Sequence, residues 1–364
     1  MAAPTTAEQP PTKSDAAGRT DGVAQLKRGL VGPASLRLLG LVLALVVLLV
    51  VALASLAIGS KPLGISLVLE SITAFDASSN DHQIVRGLRL SRTLNGMLVG
   101  TALGLSGAIM QGVARNPLAD PGILGINAGA ATAVVFGIAF FGTQTLLGYI
   151  WFGFAGAAIA AVVVFTLGSL GRDGASPVKL VLAGVAVTYL LMSTTRAVTL
   201  LDVTAFDALR FWVVGSLQGR GLEVTTQAAP FVLVGTLAAL LSGRLLNALA
   251  LGDDVAKSLG MRVGVARAFA VATLVVLAGA ATAIAGPIVF VGLTVPHIAR
   301  AITGPDYRWV LPYCAVLAPM LVLTADILGR VMARPGELQV GVVAALLGAP
   351  FFILLARRRR LATL

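Results

Sequence analysis

The sequence predicts an all-α polytopic membrane protein of about ten transmembrane helices, and three observations lead there. Of 364 residues, 57% are hydrophobic and 12% charged, whereas an average soluble domain carries roughly 25% charged residues. Apolar stretches of roughly 20 residues, each long enough to cross a bilayer as a helix, recur along nearly the whole chain. The 41 glycines are spread through those stretches, and small residues are what lets helices approach where no hydrophobic force acts between them.

Taken in order, residues 1–35 are rich in Ala, Pro, Thr, Lys and Asp without apolar periodicity, and read as a flexible cytoplasmic tail. The first apolar run lies too far into the chain and is too long for a secretory signal peptide. A transmembrane domain follows over 36–356, and a basic tail over 357–364. Its first span, Leu36–Gly59, is an almost unbroken Leu/Val/Ala run. Further spans are expected near Thr93–Val113, Gly122–Gly142, Leu147–Leu170, Val178–Leu201, Ala228–Leu245, Ala266–Gly286, Pro287–Ala301, Trp309–Gly329 and Val340–Ala356. The Pro287–Ala301 span is short, and Pro296, His297 and Arg300 make it unusual for a lipid-facing helix. Leu63–Ile72 and Asp207–Ser216 read as short helices outside the bilayer.

An even number of spans puts both termini on one side, and basic residues indicate the cytoplasmic side. Arg115, Lys179, Arg244, Lys257, Arg262, Arg267, Arg300, Arg308 and the run Arg357 to Arg360 then lie inside. Lys61, Arg86, Arg89, Arg92, Arg196, Arg210, Arg220, Arg330 and Arg334 remain outside. The net charge of +11 therefore reflects orientation against anionic lipid headgroups rather than nucleic-acid binding. Cys314 is the only cysteine and His82 and His297 the only histidines, so neither a disulfide framework nor a metal site is expected.

A weak internal echo links "LSGAIMQGVARNP" to "IAGPIVFVGLTVP": a small residue, Gly, an apolar run, then Pro ten places after the Gly. Spans two and seven lie five apart, so the copies would start from opposite orientations, as in inverted-repeat transporters.

Four groups of residues stand out. "RNPLADP" holds Asn116, Pro117, Asp120 and Pro121, a turn followed by a fresh helix start, since proline suits the first helical turn. "LGDDVAKSLG" reads as a short amphipathic helix between Gly252 and Gly260. Leu251, Val255 and Leu259 fall on one face, with Asp253, Asp254 and Lys257 elsewhere and Ala256 between them. Such a helix lies on the headgroups or is a rigid knob for a soluble partner. Arg86, Arg89 and Arg92 recur every three residues before span two, and Arg330 and Arg334 follow span nine. They read either as snorkelling helix ends or as receivers of carboxylates. Asp326 is expected to pair with Arg330 at i, i+4. No G-x-x-x-x-G-K-[ST] phosphate loop, no H-E-x-x-H and no Ser/His/Asp or Cys/His set is present, so an enzyme has little to work with. An ion-coupled secondary transporter is the competing class, and it would need Asp326 free to titrate.

The stretches "LRLSRTLNGMLVGTALGLSGAIMQGVARNPLADPGILGINAGA", "VLAGVAVT", "LALGDDVAKSLGM", "AGPIVFVGLTVPHIAR", "TADILGR" and "LLGAPFFILL" give the chain its resemblance to a family. It resembles the permease subunits of binding-protein-dependent ABC importers for ferric siderophores, haem and cobalamin. The resemblance implies the type II ABC importer permease fold, with ten spans per subunit. It also implies pairing with a second permease subunit, identical or related, two ATP-binding subunits below and an extracytoplasmic substrate-binding protein outside. By position, Arg89, Arg92 and Arg330 match the arginines that receive acidic residues of the binding protein. Leu251, Gly252, Asp253, Asp254, Ala256, Lys257, Leu259 and Gly260 match the helix that couples to the ATPase. Asn116, Pro117, Asp120 and Pro121 match an inner turn bordering the gate. The resemblance further implies residence in the cytoplasmic membrane, no cofactor on this chain and ATP with magnesium on the partner. Ser91 departs from the proline that the family often has before the second outer arginine.

Overall fold

The computed structural model describes residues 33–143, 145–170 and 177–357. The expected tails at 1–32 and 358–364 lie outside the described residues. With no water in the bilayer to satisfy backbone groups, a spanning chain must close its hydrogen bonds within each segment, and the described residues form helices without strands. In chain order these are α1 (Ala34–Ala57), α2 (Ile65–Thr73), α3 (Asn80–Gln83), a π-helical turn (Ile84–Arg89), α4 (Leu90–Ala114), a 3-10 turn (Pro121–Leu124), α5 (Ile126–Phe141), α6 (Leu146–Ser169), α7 (Pro177–Leu201), α8 (Val203–Trp212), α9 (Leu222–Leu241), α10 (Gly243–Ala250), α11 (Asp253–Ser258), α12 (Val263–Ala285), α13 (Val291–Thr303), α14 (Tyr307–Met332) and α15 (Val340–Arg357).

Ten of these stand where the ten spans are expected. Seven, counting α3 to α4 as one unit, are long and apolar enough to cross a bilayer, α5 and α15 are shorter apolar helices, and α13 has only 13 residues. Helix α4 runs through the middle, packed by α9, α12, α13 and α14. Gly96, Gly100 and Gly104 recur every four residues on its α14 face. A Cβ on Gly100 would lie 2.6 Å from the Pro319 nitrogen, and one on Gly104 2.8 Å from the Cys314 carbonyl, so the two backbones touch where side chains would hold them apart. Gly129 of α5 and Gly156 of α6 meet backbone to backbone in the same way. Helix α1 is different: only Leu48, Ser55 and Leu56 are buried, and it rests on α14 through Leu48 against Val316 and Leu323.

Several expected boundaries move. The second span begins before Thr93, because the π-helical turn carries helix continuously from Asn80. The segment from Gly122 does not run unbroken: a 3-10 turn ends at Gly125, whose φ of +71° favours glycine, before α5 starts. The expected eighth span starts at Val291, not Pro287. Gly286 (φ +74°) and Phe290 (φ +69°) bracket a non-helical link, and the Ser216 amide donates to the Ala285 carbonyl at 2.7 Å beside it. Irregular backbone within a bilayer is tolerated where protein or a water-lined cavity covers it; here Gly286 and Ile288 are buried and Val289 is exposed. The sixth span begins earlier, at Leu222, and breaks at Ser242. The outer helix expected from Asp207 starts at Val203, where the Asp202 carboxylate caps it by accepting from the Ala205 amide at 2.9 Å. The two echo segments pack on each other at Gly107 and Gly292, and Gln111 Nε2 donates to the Gly292 and Leu293 carbonyls at 3.4 and 3.3 Å. Their conformations differ, however: the first copy stays helical to Ala114, whereas the second contains the break before α13.

Candidate functional sites at the two ends of the bundle

Cross-chain contacts sort the loops into two ends. At one, Arg334 donates to the Gly59 carbonyl, Asn95 to the Arg220 carbonyl and the Gly341 amide to the Gly215 carbonyl. At the other, Arg115 reaches Leu249, Asn247 reaches Asp306, and the Tyr313 hydroxyl donates to the Arg37 carbonyl. The end holding residues 58–89, 213–221 and 333–339 carries the arginines expected outside. The opposite end carries the turn after α4 and the short helix α11.

The arginine end is built around Asp326, which is fully buried. Arg92 donates to it through Nε at 3.0 Å and Nη2 at 2.8 Å, and Arg330 Nη2 lies 2.8 Å from its other oxygen. The i, i+4 pair expected between Asp326 and Arg330 is therefore present, with Arg92 as a third member. Glu337 completes the set, 2.6 Å from Arg92 Nη1. Arg89 and Arg330, both buried, point at the end of α1. Arg89 Nη1 donates to the Leu56 and Ala57 carbonyls at 2.8 and 2.7 Å. Arg330 Nη1 donates to Ser55 and Ile58 at 2.8 and 2.9 Å, and its Nη2 to Ser55 Oγ at 2.7 Å. Helix C-termini leave their last carbonyls unpaired and carry partial negative charge, so guanidinium groups suit both needs. Arg89, Arg92 and Arg330 line a cavity of about 500 Å³ together with Lys61, Arg220 and Glu337. The three arginines against Asp326 and Glu337 leave one positive charge.

At the opposite end, α4 stops at Arg115, which adopts a left-handed conformation (φ +46°). Asn116 Oδ1 accepts from the Leu118 amide at 2.9 Å, and Asp120 Oδ1 accepts from the Gly122 amide at 2.8 Å. Each side chain holds its own turn in the way Asn and Asp do, and Pro121 opens the 3-10 turn. Asn116 is exposed, Pro117 and Asp120 are half-buried and Pro121 is buried, so this group forms a folded turn between α4 and α5.

Helix α11 projects from this end. Gly252 (φ +110°) and Gly260 (φ +80°) have open space where a Cβ would be, so backbone conformation, not crowding, calls for glycine there. Ala256 is buried under α11. Leu251, Val255 and Leu259 are all exposed, Leu259 at 67%, and the Asp254 and Lys257 side chains stand in the open beside them. Asp253, at the first helical position, binds both Arg115 Nη2 and Arg267 Nη2, the latter at 3.0 Å. Arg115 Nε also donates to the Leu249 carbonyl at 2.8 Å. One carboxylate thus ties α11 to the end of α4 and to the first turns of α12. Partial burial acts to raise the Asp253 carboxyl, but Arg267 and Arg115 outweigh it and hold the group below the usual carboxylate range. Sequence reasoning found α11 and Asp253 but missed Arg115 and Arg267 as its partners, and missed Glu337 and Ser55 at the other end. None of these contacts is local in sequence, apart from Arg267 at 14 residues from Asp253.

The arrangement has a clear counterpart among known proteins. Residues 47–358 match the FecCD transport family. The chain is 48% identical over 86% of its length to the ferric enterobactin transport system permease protein FepD of Escherichia coli, covering 94% of that protein. It is 41% identical to the iron(3+)-hydroxamate import system permease protein FhuB of Bacillus subtilis over 84% of this chain and 79% of that one. With the hemin transport system permease protein HmuU of Yersinia pestis it shares 38% over 86% of its length, covering 95% of that protein. Among solved structures, a metal-chelate type ABC transporter in an inward-facing conformation superposes with a TM-score of 0.75 at 28% identity, covering 88% of this chain and 98% of that one.

Proposed function

The chain belongs to the FecCD transport family, and from that premise we propose that it is the membrane-embedded permease subunit of an ATP-driven importer whose cargo is a ferric siderophore. Relatives that carry ferric enterobactin, iron hydroxamates and hemin support an iron-chelate cargo. The permease hydrolyses no ATP itself; two partner ATPase subunits bind ATP and magnesium and supply the work. A second permease subunit completes the path, and both termini lie in the cytoplasm, with the α11 end inside and the arginine end outside.

One observation carries this reading: an exposed apolar knob, Leu251, Val255 and Leu259, is latched through Asp253 to two central helices. An ATPase subunit that grips the knob moves α4 and α12 together, because Asp253 joins Arg115 to Arg267. The Asn116 to Pro121 turn follows directly from Arg115 and moves with it, as a turn bordering the inner gate would. At the outer end, the excess positive charge of the Arg89, Arg92 and Arg330 cavity suits acidic groups of a docked substrate-binding protein. A proton-driven secondary transporter would need a free membrane carboxylate; Asp326 is clamped between two arginines instead.

The test is uptake of iron-loaded siderophore into proteoliposomes holding the permease, its ATPase and the binding protein. Uptake is expected only with ATP, and is expected to vanish with Leu259→Asp while the variant stays in the membrane. Uptake that ignores ATP and follows a proton gradient would overturn the reading.

A further inference from the structure

Helix α7 leaves a polar stripe uncovered. Tyr189, Ser193 and Arg196 follow one another at i, i+4 and i+7, which puts them on one face, and all three are exposed. Tyr189 is the midpoint of a 25-residue helix, about 18 Å from either end at a rise of about 1.5 Å per residue, and 69% of it is open. Neighbouring threonines behave differently. Thr194, Thr195 and Thr199 each return a hydroxyl proton to a carbonyl of α7 itself. Among the described residues, the side chains of Tyr189, Ser193 and Arg196 make no hydrogen bond or ion pair. Helix α7 has no acidic residue to neutralise Arg196.

Hydrocarbon is a poor neighbour for such a stripe, since an unpaired polar group in lipid is costly. Snorkelling would relieve Arg196, which lies five residues from the end of α7, but a tyrosine at mid-helix is too short to reach either interface. We propose that this face of α7 lines the aqueous path and that Arg196, with the Tyr189 and Ser193 hydroxyls deeper in, selects iron chelates of negative charge. The proposal rests on the permease reading and adds to it the charge class of the cargo. An unpaired guanidinium near one mouth of a path attracts anions and repels cations. The two hydroxyls then donate to the chelate oxygens in turn, contacts weak enough to be left behind.

Two measurements test it. In proteoliposomes of the complete transporter, ATP-driven uptake of a trianionic ferric triscatecholate is compared for the unaltered protein, Arg196→Lys and Arg196→Gln. We expect Lys to retain most uptake and Gln to lose it about ten-fold, the scale of one charge-assisted contact, with binding-protein-stimulated ATPase activity unchanged. Equal loss in both variants, or a fall in ATPase activity with the uptake, marks a structural role and overturns the proposal, as does preferred import of a neutral ferric trihydroxamate. The second measurement needs no cargo. Cys314 is the only native cysteine and is buried, so Ser193→Cys in the assembled complex can be challenged with an anionic, water-soluble thiol reagent such as a sulfonated one, with Val46→Cys on lipid-exposed α1 as comparison. Labelling at 193 and not at 46 supports an aqueous face, and labelling at neither overturns it. Failure of all ATP-driven uptake with Ser193→Cys still labelled refutes the permease reading and the cargo assignment, and keeps only the aqueous face.

Discussion

Replacing Asp326 with asparagine tests the arginine cluster around it most directly. Asparagine keeps the shape of the side chain but removes the charge that faces Arg92 and Arg330. The surroundings exclude most water: Asp326 is fully buried, and the side chains of Arg92 and Arg330 are 11% and 3% exposed. Breaking a buried ion pair by removing one partner costs about 3–5 kcal/mol. Glu337, 2.6 Å from Arg92, and the α1 carbonyls that hold Arg330 remain in place, so the lower figure, about 3 kcal/mol, is expected. At about 2 °C per kcal/mol for a chain of this size, the melting temperature of the purified protein in detergent should fall by about 6 °C. Asp254→Asn serves as the comparison, because its side chain is fully exposed and Lys257 lies 3.9 Å away. An Asp326→Asn protein that melts with the Asp254→Asn protein would refute the reasoning, and the cluster would not be what holds this end together.

The remaining expectations concern the α11 end and the central packing. Asp253 is held below its unfolded carboxylate value of about 3.9, so its contribution to stability is fully present above that pH and is lost as acidification passes through the lower folded value. Thermal stability followed from pH 6 to pH 3 should therefore fall more steeply below about pH 4 in the unaltered protein than in Asp253→Asn. Gly252→Ala, at a φ of +110°, should strain the knob by about 1–3 kcal/mol and reduce ATP-driven uptake at unchanged membrane levels. Gly264→Ala, with open space and no positive φ, should be silent in the same assay. Gly100→Leu should separate α4 from α14, which touch at Pro319, and membrane levels of the protein, read by immunoblot, should drop at least several-fold, with overpacking alone costing about 1–3 kcal/mol or more.

The parts of this molecule legible in the sequence are those set by nearest neighbours. Apolar runs located ten helices, and Gly252 with Gly260 framed the knob because glycine is what a positive φ requires. The i, i+4 spacing of Asp326 and Arg330 announced their pair. Contacts made across the fold left no such trace. Arg92 and Asp326 are 234 residues apart, Arg115 and Asp253 138, and nothing in local spacing joins them. The direction in which Arg89 and Arg330 point was hidden for the same reason, since their acceptors are carbonyls of a helix far away in the chain. The break before α13 was misread because Pro287 looks like a helix start, whereas the link it begins runs on to a left-handed Phe290.

The capping of α1 sets an order on assembly. Helix α1 emerges well ahead of α4 and α14 during synthesis, yet its last carbonyls are satisfied by Arg89 and, 275 and 272 residues beyond Ser55 and Ile58, by Arg330. Until α14 is in the bilayer, α1 lacks the seat of Leu48 against Val316 and Leu323 and is held at this end by Arg89 and by the Ser55–Thr93 hydroxyl pair. The arrival of Arg330 fixes it, so a nascent chain cut short before α14 would have inserted its first helix without ever having placed it.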